Sequence, residues 1–137
     1  MSALYIAGRF TRREELAGYA DRLRQAGHEI TSRWLSGHHD IPPSLPEEVR
    51  RDLKRQYACE DLADVFEADI LVAFTEPPGV PNDSRGGRHV EFGVALAAGA
   101  RLVLIGPREN IFHWLKNVEQ YDDFEAYLQA LSEETPS

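Results

Sequence analysis

The sequence predicts an α/β chain in three layers, with a parallel sheet of four or five strands between helices, and three observations carry that prediction. Residues 69–74 and 102–105 are almost continuously apolar, as strands covered on both faces are. Short apolar runs alternate with longer amphipathic segments, the order that winds helices onto a parallel sheet. Finally, 137 residues with 42% hydrophobic content suffice for a real core, so one domain is expected over residues 1–132, with a polar tail at 133–137.

Each element follows in order. Residues 4–8 form a first strand, Thr11 is placed to cap a helix, and that helix ends near Gly27. Residues 29–34 alternate like a second strand. Residues 36–46, rich in Gly, His and Pro, form a loop of lid-like character. From Pro46 to about Glu67 runs an amphipathic helix whose Ala58, Leu62, Val65 and Phe66 are spaced to pack on the sheet, with Cys59 beside them as a small core residue. The strand at 69–74 leads through a loop at 76–83 into an apolar helix, and the strand at 102–105 follows. Phe124, Leu128 and Leu131 mark a terminal helix. The sum is a flavodoxin-like or Rossmann-like architecture.

In such a sheet ligands bind beyond the carboxyl ends of the strands, so the turns after Gly8, Phe74 and Ile105 are expected to line one crevice. The first turn, Ala7-Gly8-Arg9-Phe10-Thr11, has one glycine where a dinucleotide fingerprint needs three, and no lysine-bearing phosphate loop occurs. Dinucleotide and ATP-hydrolase readings fall on that ground. A net charge of −8 argues against nucleic-acid polymers and anionic membranes and favours a small ligand. Arg9, Arg85 and Arg88 form a local exception suited to a phosphate. Gly86-Gly87 at a helix start would present N–H groups to an anion, although a plain tight turn explains the pair equally well. One cysteine allows no disulfide within these residues, and no run of about 18 apolar residues occurs, so a cytoplasmic protein without a membrane partner is expected.

The segment from Ser84 to Gly99 closes as an apolar helix carrying Glu91. For a helix starting near Arg85, Glu91 shares its face with Val94, Ala95 and Ala98. A carboxylate on an inward face is costly unless paired or functional, which makes Glu91 a candidate nucleophile or proton-transfer group. Helix-end electrostatics accounts for an early acid equally well. Its best partner is Asp61, at the edge of the apolar face of the preceding helix, whereas Glu60 and Asp64 lie further around or near the rim; a solvated charge is the plainer reading of Asp61. His38-His39-Asp40 looks like a metal cluster, but adjacent histidines in extended chain point to opposite sides and no ligand follows at helical spacing, so no metal is expected. His89 and His113 sit near crevice loops without a serine–histidine–acid arrangement.

Four pieces together resemble the nucleoside 2-deoxyribosyltransferase family and the related N-glycosidases of nucleoside 5'-monophosphates. They are Tyr5-Ile6-Ala7-Gly8-Arg9-Phe10-Thr11; Asp61-Leu62 with Asp69-Ile70 beyond; Gly87 to Gly93 around Glu91; and Asn110-Ile111-Phe112-His113-Trp114. The resemblance implies a retaining N-glycoside chemistry with Glu91 as nucleophile, Tyr5 orienting it, and Asp61 protonating the departing base, with no cofactor. It places Gly8, Arg9, Phe10, Asp83, Ser84, Gly87, Arg88, Asn110 and Phe112 at the substrate. Asn110 matches an asparagine that reaches the neighbouring subunit's site, which implies a homodimer or higher oligomer. Arg85 stands where relatives carry an acid, leaving Asp83, Ser84 and Arg85 as alternatives for that role. Trp34 and the loop from His38 to Pro46 are expected to set base preference.

Overall fold

The computed structural model describes residues 2–37, 39–79 and 86–134. Five strands, β1 (Ala3–Ala7), β2 (Glu29–Ile30), β3 (Ile70–Phe74), β4 (Arg101–Ile105) and β5 (Val118–Tyr121), form one all-parallel sheet in the order β2-β1-β3-β4-β5. The order reverses between β1 and β3, and that is the crevice-forming switch point of a flavodoxin-like sheet. All five residues of β3 are buried, as their unbroken apolar run predicts for a strand covered on both faces.

Four helices cover the sheet. α1 (Arg13–Gln25) and α4 (Phe124–Glu134) share one face, where Tyr19 stacks on Phe124 at 4.3 Å and on Phe74 of β3 at 5.4 Å. α2 (Glu47–Glu67) and α3 (Gly87–Ala97) pack together on the other face, against β1, β3 and β4. Gly8 follows β1 directly; a Cβ there would lie 2.6 Å from Leu16 Cδ1, so a larger residue would have to displace the end of that buried side chain.

Several expectations are corrected. Thr11 does not cap α1: it lies inside a 3-10 turn at Phe10–Arg12, and α1 starts behind Arg12 with no side-chain cap. The second strand ends at Ile30 because side chains take over its pairing. Ser32 Oγ accepts the Ile6 N–H at 3.1 Å and the Trp34 indole donates to Ile6 O at 2.8 Å, turning residues 33–36 into a 3-10 helix. On α2 the expected apolar face is not the buried one. Val65 is buried with Asp64, while Leu62, Phe66 and Cys59 are exposed. Glu91's helix starts at Gly87 behind Gly86, whose φ of 87° favours glycine, and it ends early enough to leave Ala98 exposed.

Candidate active site

A cleft of about 360 Å³ opens beyond the carboxyl end of β1, at the switch point. β1 and its following turn contribute Gly8 and Phe10, the 3-10 helix Trp34, α2 Asp61, and α3 Gly87, Arg88 and Glu91. Trp34 is held by its indole bond to β1, and Phe10 lies 6.2 Å away at a 35° tilt, so the two rings form an aromatic wall. Such a wall suits a flat, partly apolar ligand.

Glu91 lies at the inner end of this cleft. Tyr5, fully buried on β1, donates its hydroxyl hydrogen to Glu91 Oε2. Burial pushes the Glu91 carboxyl up to about 8; the tyrosine bond pulls it down, and the negative charges of Asp61 and Asp64 add to the rise. Burial, with Glu91 and Asp61 next, raises the Tyr5 phenol far above its ordinary value, so it stays a donor. Asp61 thus acts electrostatically on both members of the pair.

Of the arginines expected to suit a phosphate, Arg88 and Arg9 are engaged in ion pairs. Arg88 is buried in an ion pair with Glu109, with Nη2 donating to Oε1 at 2.8 Å, and Arg9 lies 3.7 Å from Glu76, which also accepts from Arg12 at 2.8 Å. Arg9, Asn110 and Phe112 do not line the cleft. Asn110 caps the 3-10 turn at Ile111–Trp114, its Oδ1 accepting the Phe112 N–H at 2.9 Å, and Phe112 itself is exposed. Asp83, Ser84, Arg85 and His38 lie outside the described residues. His113 is structural: buried, it accepts the Glu109 N–H on Nδ1 at 2.9 Å, and burial holds its pKa below the ordinary value. Among the described residues, no group of three or more His, Cys, Asp or Glu side chains is placed to hold a metal ion.

Sequence reasoning missed Lys54 and Tyr57, which line the cleft from α2 with Ala58 and Asp61. Their spacing of three, four and seven residues was the available signal, since it puts all four on one helix face. His39 and Ile41 also line the cleft, from the loop before α2.

Fold and cleft together define a flavodoxin-like α/β protein with a cleft at the switch point that Glu91 and Asp61 line. Over 95% of this chain and 98% of the other, the structure is similar to that of Clostridium botulinum CMP N-glycosidase, BcmB (TM-score 0.57, 24% identity). It is also similar to a 2-deoxyribosyltransferase from the psychrotolerant bacterium Bacillus psychrosaccharolyticus, over 90% of this chain and 88% of that one (TM-score 0.60, 19% identity). At these identities the likeness is one of fold. No protein-family model and no curated protein matches the sequence. No described helix is long and apolar enough to cross a membrane.

Proposed function

We propose that this chain cleaves the N-glycosidic bond of a nucleoside or nucleoside 5'-monophosphate through a glycosyl ester on Glu91, passing the sugar to another nucleobase or to water. The observation that carries this reading is the half-buried Glu91 carboxyl, hydrogen-bonded by Tyr5, in a cleft lined also by Asp61 and the rings of Phe10, Trp34 and Tyr57. In the first step the Glu91 carboxylate bonds to C1', the C1'–N electron pair leaves with the base, and Asp61 gives that base a proton. In the second, a base nitrogen or a water oxygen bonds to C1' and gives its proton to the Asp61 carboxylate, while the C1'–O bond to Glu91 breaks and Glu91 departs as carboxylate. Likeness to a CMP N-glycosidase and a 2-deoxyribosyltransferase supports the substrate class.

The test is release of free base from a panel of nucleosides and 5'-monophosphates, with and without an acceptor base, followed by chromatography. Release that survives Glu91→Ala sinks the nucleophile. Binding without release by the wild type favours a nucleotide-sensing module instead, in which a Glu91 protonated at neutral pH would serve as a hydrogen-bond donor.

A pH profile tests the same carboxylate. Because attack requires ionised Glu91 while departure of an uncharged base requires protonated Asp61, the Glu91 limb is read on 7-methylguanosine 5'-monophosphate, whose base leaves without a proton; there kcat/KM is expected to rise about tenfold per pH unit up to about 8 and then level off. Tyr5→Phe removes the bond that pulls this value down, so the limb shifts to higher pH and kcat/KM at pH 7 falls about tenfold. A limb that stays in place in the variant contradicts the role given to Tyr5.

The reading includes a second copy of the chain. Ile111, Phe112 and Trp114 are exposed in a row beside Asn110, which supports a homo-oligomer built on this turn. Light scattering on the Trp114→Glu protein is expected to show a smaller particle than the wild type; equal masses would refute it.

A further inference from the structure

His39 is nearly enclosed, its side chain 6% exposed, although it sits on a surface loop. Its ring lies edge-on to Tyr57 at 4.4 Å. Nε2 is 3.7 Å from Glu60 Oε1 and Nδ1 is 3.7 Å from Asp61 Oδ1. Glu60 is shared with Arg33, whose Nη1 is also 3.7 Å from Oε1. Among the described residues, the charged and titratable groups around the ring are Glu60, Asp61 and Tyr57 of α2, Arg33 behind Glu60, and Asp40 on its own segment, with Lys54 and Glu91 lining the same cleft.

We infer that His39 is a positioning residue for Asp61, which it orients and charge-compensates as Asp61 protonates the departing base; this rests on the glycosidic reading above. The ring is wedged between two carboxylates whose roles differ. Glu60, on the Nε2 side, favours the imidazolium. Asp61, on the Nδ1 side, faces the cleft; in the protonated form that reacts, its O–H bond breaks and the proton passes to the base nitrogen as the C1'–N electron pair leaves with that base, which returns Asp61 to a carboxylate. A positive ring at ion-pair distance lowers the energy of the carboxylate so formed. His39 and Ile41 line the cleft beside Asp61.

A role exercised through Asp61 matters only for bases that need a proton to leave. His39→Ala and the size-conserving His39→Gln are compared with wild type on cytidine 5'-monophosphate and 2'-deoxyadenosine, and on 7-methylguanosine 5'-monophosphate and 7-methyl-2'-deoxyguanosine, whose bases already carry a positive charge. Release from the uncharged bases is expected to fall about a hundredfold in kcat, while release from the methylated ones stays within about threefold. Equal losses on both sets, or no loss, overturn the inference while leaving the glycosidic reading intact. Absence of release by the wild type overturns that reading and this inference with it. Independently of activity, the NMR titration of the His39 ring is expected to move to lower pH in Asp61→Asn and in Glu60→Gln, since each removes a facing negative charge. A titration unmoved in both variants overturns the inference.

Discussion

Glu91→Gln protein is expected to melt at a higher temperature than the wild type at pH 8 and to release no base. Both effects come from one burial. The folded-state carboxyl is raised to about 8 from its ordinary 4.5, so between those values the native state holds a proton that the unfolded chain has lost. Stability from this group is therefore fully present below about 4.5 and drains away as pH climbs through 8. At about 1.4 kcal/mol per pH unit of separation the loss is bounded at roughly 5 kcal/mol, before relaxation around the site reduces it. Glutamine does not titrate, and its carbonyl oxygen still accepts the Tyr5 hydroxyl. The variant's advantage over the wild type should consequently grow from pH 5 to pH 8 in paired thermal melts. An advantage equal at the two pH values, or a less stable variant at pH 8, contradicts the burial argument. The catalytic cost is roughly 10⁴-fold or more, the scale of losing a nucleophile that forms a covalent intermediate. Higher stability with lost activity is the signature of a site held at a cost to the fold.

That cost was visible in the sequence because Glu91 stands among apolar residues on α3, and α3 has a strong pattern. Tyr5 was reached only through the family resemblance, because the apolar run of β1 places the residue in the sheet without saying where its hydroxyl points. The parallel sheet itself was legible from β3 and β4. β2 was not, because residues 29–34 alternate as a strand would; periodicity cannot report that Ser32 and Trp34 side chains spend themselves on the backbone of Ile6 and stop the ladder after two residues. α2 failed differently. Its sequence contains an apolar stripe, but the helix runs along the cleft, so the face bearing Tyr57 and Asp61 meets a cavity, while Phe66 remains 65% exposed. The buried acid is Asp64, whose Oδ2 accepts the Arg33 N–H at 3.0 Å. Pattern reasoning counts apolar side chains along a helix and has no means of knowing what they will face. His39 was legible only as one of a discounted metal cluster and as part of a loop expected to set base preference, for its neighbours Tyr57, Glu60 and Asp61 lie some twenty residues away in sequence and are brought to it by the turn into α2.

Glu109→Ala is expected to destabilise the protein by about 3–5 kcal/mol, the scale of stranding one member of a buried ion pair. Arg88 has a side chain 4% exposed at the first turn of α3, and Glu109, in the connection after β4, accepts both of its terminal nitrogens and the Glu76 N–H at 3.2 Å. Arg88 Nε already has no hydrogen-bond partner among the described residues, so the guanidinium has little to fall back on once the carboxylate is gone. Burial pushes the Glu109 carboxyl up, but its bonds and charge contact with Arg88 outweigh this and hold it below the ordinary value. Its contribution is accordingly full at neutral pH and is lost as pH falls through that lowered value. Urea titrations at pH 7 should show the full loss, and at low pH wild type and variant should converge. The double variant Arg88→Met with Glu109→Leu is expected to recover most of the stability, because no buried charge remains. A cost below about 1 kcal/mol for Glu109→Ala would mean that Arg88 finds water or another acceptor, and that α3 reaches the cleft without this tie. Since Arg88 lines the cleft three residues before Glu91, the same substitution should also lower base release more than the fraction unfolded accounts for. The Arg88–Glu109 pair would then hold the nucleophile's helix in register rather than receive the substrate's phosphate.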